Sequence, residues 1–217
     1  MFFHKSFAFH LRQVYHIKKT ETSVSAIMRQ KGTKWLMKKK PNQNYYVEQQ
    51  LVDALIALLK HKSLNEISVR ELCNQAGVGR ASFYRHYQSK EEVLERHARF
   101  LIKEWSQELE SDSGAKPWDV FESLFCQLKE HQAFYEVLHK TGRDNVLRIS
   151  LREKIGLTKD LSNSDAYQKV FFADGVSGWI EEWIERGMQE TPAELNELFV
   201  SYFNTVLANL AGIFAHD

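Results

Sequence analysis

The chain has 217 residues, enough to bury a core without disulfide or metal staples, and its 43% hydrophobic and 26% charged content is that of a globular protein. Only 3 Pro and 10 Gly punctuate it, which argues against all-β and collagen-like architectures and for an all-α fold of long helices. The net charge of +1 hides an asymmetry: residues 1–40 hold ten Lys/Arg against one acid, residues 41–105 nine against eight, and residues 106–217 ten against nineteen.

A basic front and an acidic back suit a chain whose one end meets a polyanion. No stretch approaches the ~18 to 20 apolar residues that cross a bilayer. The opening MFFHKSFAFHLRQ is broken too often by His, Lys and Arg for a secretory core, so a soluble, cytoplasmic protein is expected. Cys73 and Cys126, with apolar neighbours and no CxxC spacing, read as reduced core thiols. Residues 1–40 show no sustained period and contain Met28 and Met37 as alternative starts. Two readings stand for them: a disordered extension or start-site artefact, and a basic arm that lies along nucleic acid.

The first helix is predicted from Tyr45 to about Lys60, where Val47, Leu51, Leu55 and Leu58 keep helical spacing. Ser68 with Glu71 is a capping box opening a short second helix whose apolar face is Val69, Leu72, Cys73 and Ala76. Gly77 closes it and Val78 plugs the turn. Gly79 to Tyr87 is a third helix of barely two turns. Phe83 and Tyr87 face inward, while Arg80, Ser82, Tyr84, Arg85 and His86 crowd the rest of its surface. Two short helices about a glycine turn, the second loaded with Arg, hydroxyl, Tyr and His, are the arrangement that places a recognition helix in the DNA major groove. Ser89 with Glu92 then caps a fourth helix that runs to about Leu109.

Downstream, helices are predicted near 117–130, 132–140, 144–157, 164–187 and 192–215, with Gly142, Gly156 and Gly187 as stops and Thr191-Pro192-Ala193-Glu194 as the start of the last. The final two are too apolar for surface helices. One apolar stripe serves the subunit core, and a second fits a twofold contact through Trp179, Trp183, Phe199, Tyr202, Phe203, Val206, Leu207 and Leu210. Burial of both stripes within one subunit is the competing reading.

The run Ile67-Ser68-Val69-Arg70-Glu71-Leu72, the Ala76-Gly77-Val78-Gly79 turn, Ser82-Phe83-Tyr84-Arg85-His86-Tyr87 and Ser89-Lys90-Glu91-Glu92 resemble, in that order, the DNA-binding domain of the tetracycline-repressor family of bacterial regulators. One departure is Gly79, where the family more often has a capping Ser or Thr. The region after it is weakly similar to the branch typified by the dihydroxyacetone-kinase activator. The resemblance implies three parts: the 1–40 extension, a helix-turn-helix domain at 41–105, and a helical regulatory and dimerisation domain at 106–217.

It further implies double-stranded DNA as partner, with Tyr84, His86 and Lys90 on phosphates and Arg80, Ala81, Ser82 and Arg85 on or near the base-reading face. Ser68, first in its helix, is a further phosphate donor. A ligand-responsive homodimeric repressor on a palindromic operator is the leading function. An activator working with a protein partner, and a helical interaction protein without DNA binding, are the alternatives. A small-molecule effector, where there is one, would meet Trp118, Phe121, Phe125, Phe134, Tyr135, Tyr167, Phe171 and Trp179, which serve equally as core. No cofactor or metal is expected and no enzymatic motif is found: the nine His form no HExxH, and neither a phosphate loop nor a GxSxG elbow occurs.

Overall fold

The computed structural model describes residues 43–111 and 119–214; the 1–40 extension and Trp118 lie outside the described residues. Within them the chain forms α1 (Gln43–Leu59), a 3-10 turn (Leu64–Glu66), α2 (Val69–Ala76), α3 (Arg80–His86), α4 (Lys90–Ser111), α5 (Asp119–Glu130), α6 (Gln132–Lys140), α7 (Asn145–Lys154), α8 (Asn163–Glu185) and α9 (Pro192–Phe214), with no strand among the described residues. The all-α expectation holds.

Local chemistry sets the element boundaries. The Ser68 hydroxyl accepts from the Glu71 amide at 3.1 Å and opens α2. Gly77, at φ +66°, ends it in a left-handed turn closed by Val78 N donating to Cys73 O at 2.9 Å. At α4 the Ser89 hydroxyl accepts from Glu92 N, and the Glu92 carboxylate reaches one residue further back than expected, to Gln88 N at 2.6 Å. Thr191 and Glu194 cap α9 reciprocally. The 3-10 turn was not expected from the sequence, although its cap, Ser63 with Glu66, has the same S-x-x-E spacing as Ser68 with Glu71. Likewise Ser162 caps α8 through Asp165 N, two residues before the predicted start. The helix predicted over 144–157 ends earlier, at Lys154, where Gly156 turns left-handed at φ +69°.

α1 packs against α2 and α4, and α2 against α3, around Leu51, Leu55, Ile67, Leu72, Cys73 and Phe83, all buried. The second group of helices shares one core with the first. α4 runs unbroken through residues 105–106 and packs against α5 and α7, while α1 itself touches α6. Phe125, Leu128, Tyr135, Leu138, Ile180, Trp183 and Phe199 fill that continuation. Trp105 Nε1 donates to Ser123 Oγ at 3.0 Å and the Tyr135 hydroxyl to Gln127 Oε1 at 3.1 Å, which satisfies these two buried polar ends, whereas the buried Trp183 Nε1 has no hydrogen-bond partner.

Candidate nucleic-acid interface

α3 is seven residues long and uses them in two ways. Phe83 is fully buried and Tyr87, its C-cap, nearly so, with their rings 5.7 Å apart. This seats the helix on the α1–α2 core. Arg80, Ala81, Tyr84 and Arg85 are exposed, and Ser82 and His86 are half-buried. Tyr84 is 54% exposed, with its ring edge against Phe83 at 5.3 Å, which orients the phenol and leaves its hydroxyl outward. Gly79, extended at φ −65°, supplies no side-chain cap, so the amides of the first turn of α3 stay open to an outside acceptor.

Ser68 is exposed at the start of α2, and its hydroxyl still has its own hydrogen to donate beyond the capping bond. Lys90 is placed differently from a free phosphate contact. Its ammonium donates to the Ile67 carbonyl, which ties the start of α4 to the residue before the α2 cap and leaves two of its three protons for another acceptor. Between the end of α1 and α2, a shallow depression is lined by Leu58, Ser68, Arg70, Glu71, Asn74 and Gln75, with Glu71 ion-paired to Lys62. Arg70, Asn74 and Gln75 are exposed there. The sequence reading passed over them, although an Arg-x-x-x-Asn-Gln run on the outer face of α2 was visible.

Of the aromatics taken for an effector pocket, the seven that are described do not line one cavity: Phe121, Phe125 and Trp179 meet around Phe199, and the others lie apart. Phe125, Phe134 and Tyr135 are core, because their helices α5 and α6 press on each other, α5 also on α4 and α9, and α6 also on α1 and α8. Phe121 is half-buried, stacking on Phe199 at 4.8 Å. Tyr167 and Phe171 are 70% and 76% exposed, since α8 turns this edge outward while its other side is bolted to α7 through Arg152–Asp174 and Arg148–Glu181.

The residues expected at a twofold contact lie in different surroundings within the subunit. Trp183 and Phe199 are buried inside the subunit, against Phe125 at 5.8 and 6.2 Å, and are not available to a partner. Tyr202 remains exposed, Trp179 lies half-buried against it with rings 5.9 Å apart, and Leu198 is exposed beside them. The side chains of Phe203, Val206, Leu207 and Leu210 lie outside the described residues.

Further in, His139 links three elements. Its Nε2 lies 2.7 Å from Glu185 at the end of α8, and its Nδ1 lies 3.1 Å from Asp144 before α7. Burial pushes this imidazole toward neutrality, but the Glu185 hydrogen bond and the Asp144 charge outweigh it and leave its pKa raised. His131, before α6, is the opposite case, lowered by burial. No group of three or more His, Cys, Asp or Glu among the described residues is placed to hold a metal ion, and no described helix is long and apolar enough to cross a membrane.

Comparison with known proteins gives the same reading from both halves. Residues 51–96 match the family model for bacterial regulatory proteins of the tetR family. Residues 116–205 match the model for a transcriptional regulator C-terminal region. An uncharacterized HTH-type transcriptional regulator from Haemophilus influenzae is 26% identical over 136 residues, 60% of this chain and 61% of that relative, so the match spans less than two thirds of the relative's length. The crystal structure of Lin0861 from Listeria innocua superposes with a TM-score of 0.64 at 20% identity, covering 77% of this chain and 96% of that one, and shows the fold. The dihydroxyacetone kinase operon activator DhaS aligns at a TM-score of 0.49 and 19% identity over 75% of this chain and 95% of its own. A capped α2, a glycine turn and an outward-facing α3 thus carry a tetR-family signature, and the helices behind them a regulator's C-terminal region: the chain belongs to the tetR family of bacterial transcriptional regulators.

Proposed function

We propose that the protein is a ligand-responsive homodimeric repressor that binds a palindromic operator through α3. The observation that carries this reading is the division of α3, with Phe83 and Tyr87 sealed in the core and Arg80, Ala81, Tyr84 and Arg85 left outward. In this reading Tyr84, His86, the free protons of Lys90, and Ser68 hold phosphates. Arg80 reads a guanine edge with two hydrogen bonds, Ala81 meets a thymine methyl, and Ser82 and Arg85 flank them. Residues 41–105 form the DNA-binding domain and residues 106–217 the regulatory and dimerisation domain, working in the cytoplasm.

The dimer is supported by the outward faces of α8 and α9, where Leu198 and Tyr202 stand exposed beside Trp179. Tyr167 and Phe171 continue an exposed line along α8 into Gly175 and Gly178. A repeated subunit places two copies of α3 about one DNA turn apart, and half-site spacing follows from the twofold axis.

Selection from a random duplex library, followed by mobility-shift titration at several salt concentrations, tests this. The expected result is an inverted repeat whose affinity falls steeply with salt. Recovery of no enriched sequence, or binding that ignores salt, overturns it.

A further inference from the structure

We propose that the cavity between α8 and α9 binds a small organic cation that also carries a hydrogen-bond acceptor, and that this cation is the effector of the repressor proposed above. Its role as effector rests on the repressor reading; the binding does not. The cavity has a volume of about 380 Å³, within the range of small-molecule sites. Trp179 and Trp183 line it from α8, and Leu195 and Leu198 from α9. Gly178 gives it room, since a Cβ there would meet nothing within 4 Å. Its charged groups are Glu182, Arg186 and Glu190.

Two groups in this wall lack a partner. Trp183 is 2% exposed, and its Nε1–H is buried with nothing to donate to, a deficit that an incoming acceptor removes. Glu190 is half-buried and pairs with no cation among the described residues. Arg186 is committed to Glu182 at 2.6 Å, so those two charges offset each other and the cavity keeps the net charge of one carboxylate. Trp179 is half-buried and held edge-on to Phe199 at 5.3 Å, which fixes its plane in the wall. Indole faces attract cations more strongly than other aromatic faces, and Trp183 already does so inside the subunit, with Lys129 Nζ 5.8 Å from its ring centre. A cation held between Glu190 and Trp179, with an oxygen placed to accept from Trp183 Nε1, meets all three needs at once. An anion is repelled by Glu190, and a purely apolar molecule leaves both deficits standing.

Trp179 and Leu198 also belong to the face offered to the second copy in the proposed dimer. An occupant of the cavity therefore bears on the twofold contact and on the spacing of the two α3 helices. Through that coupling the cation lowers operator affinity, and bound operator lowers affinity for the cation by the same factor.

The test uses the full chain and three probes: acetylcholine, which has a quaternary ammonium and an ester carbonyl; its neutral isostere, in which a tert-butyl group replaces the trimethylammonium; and pentyltrimethylammonium, which keeps the charge and loses the acceptor. Binding is followed through the indole N–H signals of the five tryptophans in the NMR spectrum, that of Trp183 being identified by its loss in Trp183→Phe. Acetylcholine is expected to move the Trp183 signal and to bind roughly five- to thirtyfold more tightly than its isostere. Glu190→Gln should bring the two esters to equal affinity. Trp183→Phe should weaken acetylcholine and leave pentyltrimethylammonium unchanged; Glu190→Gln, which touches no core residue, carries the test where that variant melts early. Equal affinity of the wild type for the two esters, or a Trp183 signal that ignores every probe at tens of millimolar, overturns the site. Signals that respond only once the protein is diluted to monomers assign the cavity to the second copy and overturn it as well. Binding that leaves affinity for the selected duplex unchanged overturns the effector role, and a wild-type protein that binds no duplex overturns the repressor reading instead.

Discussion

Phe83 and Tyr84 are adjacent in sequence, yet one is fully buried and the other 54% exposed. The difference separates what each substitution should do. Tyr84→Phe removes a hydroxyl from the surface, so its thermal stability should stay within about 0.5 kcal/mol of wild type, while DNA affinity falls for all sequences alike. Arg80→Ala should instead relax discrimination at one base position, by roughly 1 to 3 kcal/mol. Competition titrations with single-base operator variants check both, and equal losses at every position for Arg80→Ala would remove it from base reading.

His139 gives a second residue-level test. Its folded pKa is raised above the ordinary value of about 6.5, so the stability it lends is complete below that value and is lost as pH rises through the folded one. Wild type should lose its thermal advantage over His139→Gln as pH rises above about 6.5. His131 works in the opposite sense, but it is common to both proteins and cancels. Parallel melting curves across that range would show that the Glu185 and Asp144 contacts contribute nothing.

At the scale of elements, the turn between α2 and α3 depends on Gly77, whose φ of +66° is closed to most side chains. Space is not the obstacle, since a Cβ there meets nothing within 4 Å. Gly77→Ala should therefore cost about 1 to 2 kcal/mol through backbone strain alone, measured by urea denaturation. A neutral result would mean that the turn relaxes without loss.

Helix positions were legible in the sequence because caps and stops are local: Ser68 with Glu71, Thr191 with Glu194, and the glycines at 77, 142, 156 and 187 act within a few residues of themselves. The outward face of α3 was legible for the same reason. Which aromatics are core was not, because Phe125 and Tyr135 are buried by helices that lie far along the chain. The partners of Lys90 at Ile67 and of Glu48 at His97, 23 and 49 residues apart, are likewise products of the packing.

For the whole molecule, the proposed dimer uses the exposed pair Leu198 and Tyr202. Leu198→Glu should halve the mass measured by light scattering and weaken operator binding, because two half-sites are then no longer engaged together. Its secondary structure should persist, as Leu198 lies outside the subunit core. An unchanged mass would place the twofold axis elsewhere.

The continuity of α4 has a mechanical consequence. Its 22 residues span about 33 Å at the usual rise per residue. A rigid rod of that length, tilted by only about 5° at its far end, displaces its near end by about 3 Å, close to the 3.4 Å step between stacked base pairs along one strand. In the homodimer proposed above, two such rods swinging in a twofold-related sense would carry their fingertips out of register with successive grooves, so that a modest rearrangement among α5 to α8 would suffice to release the operator.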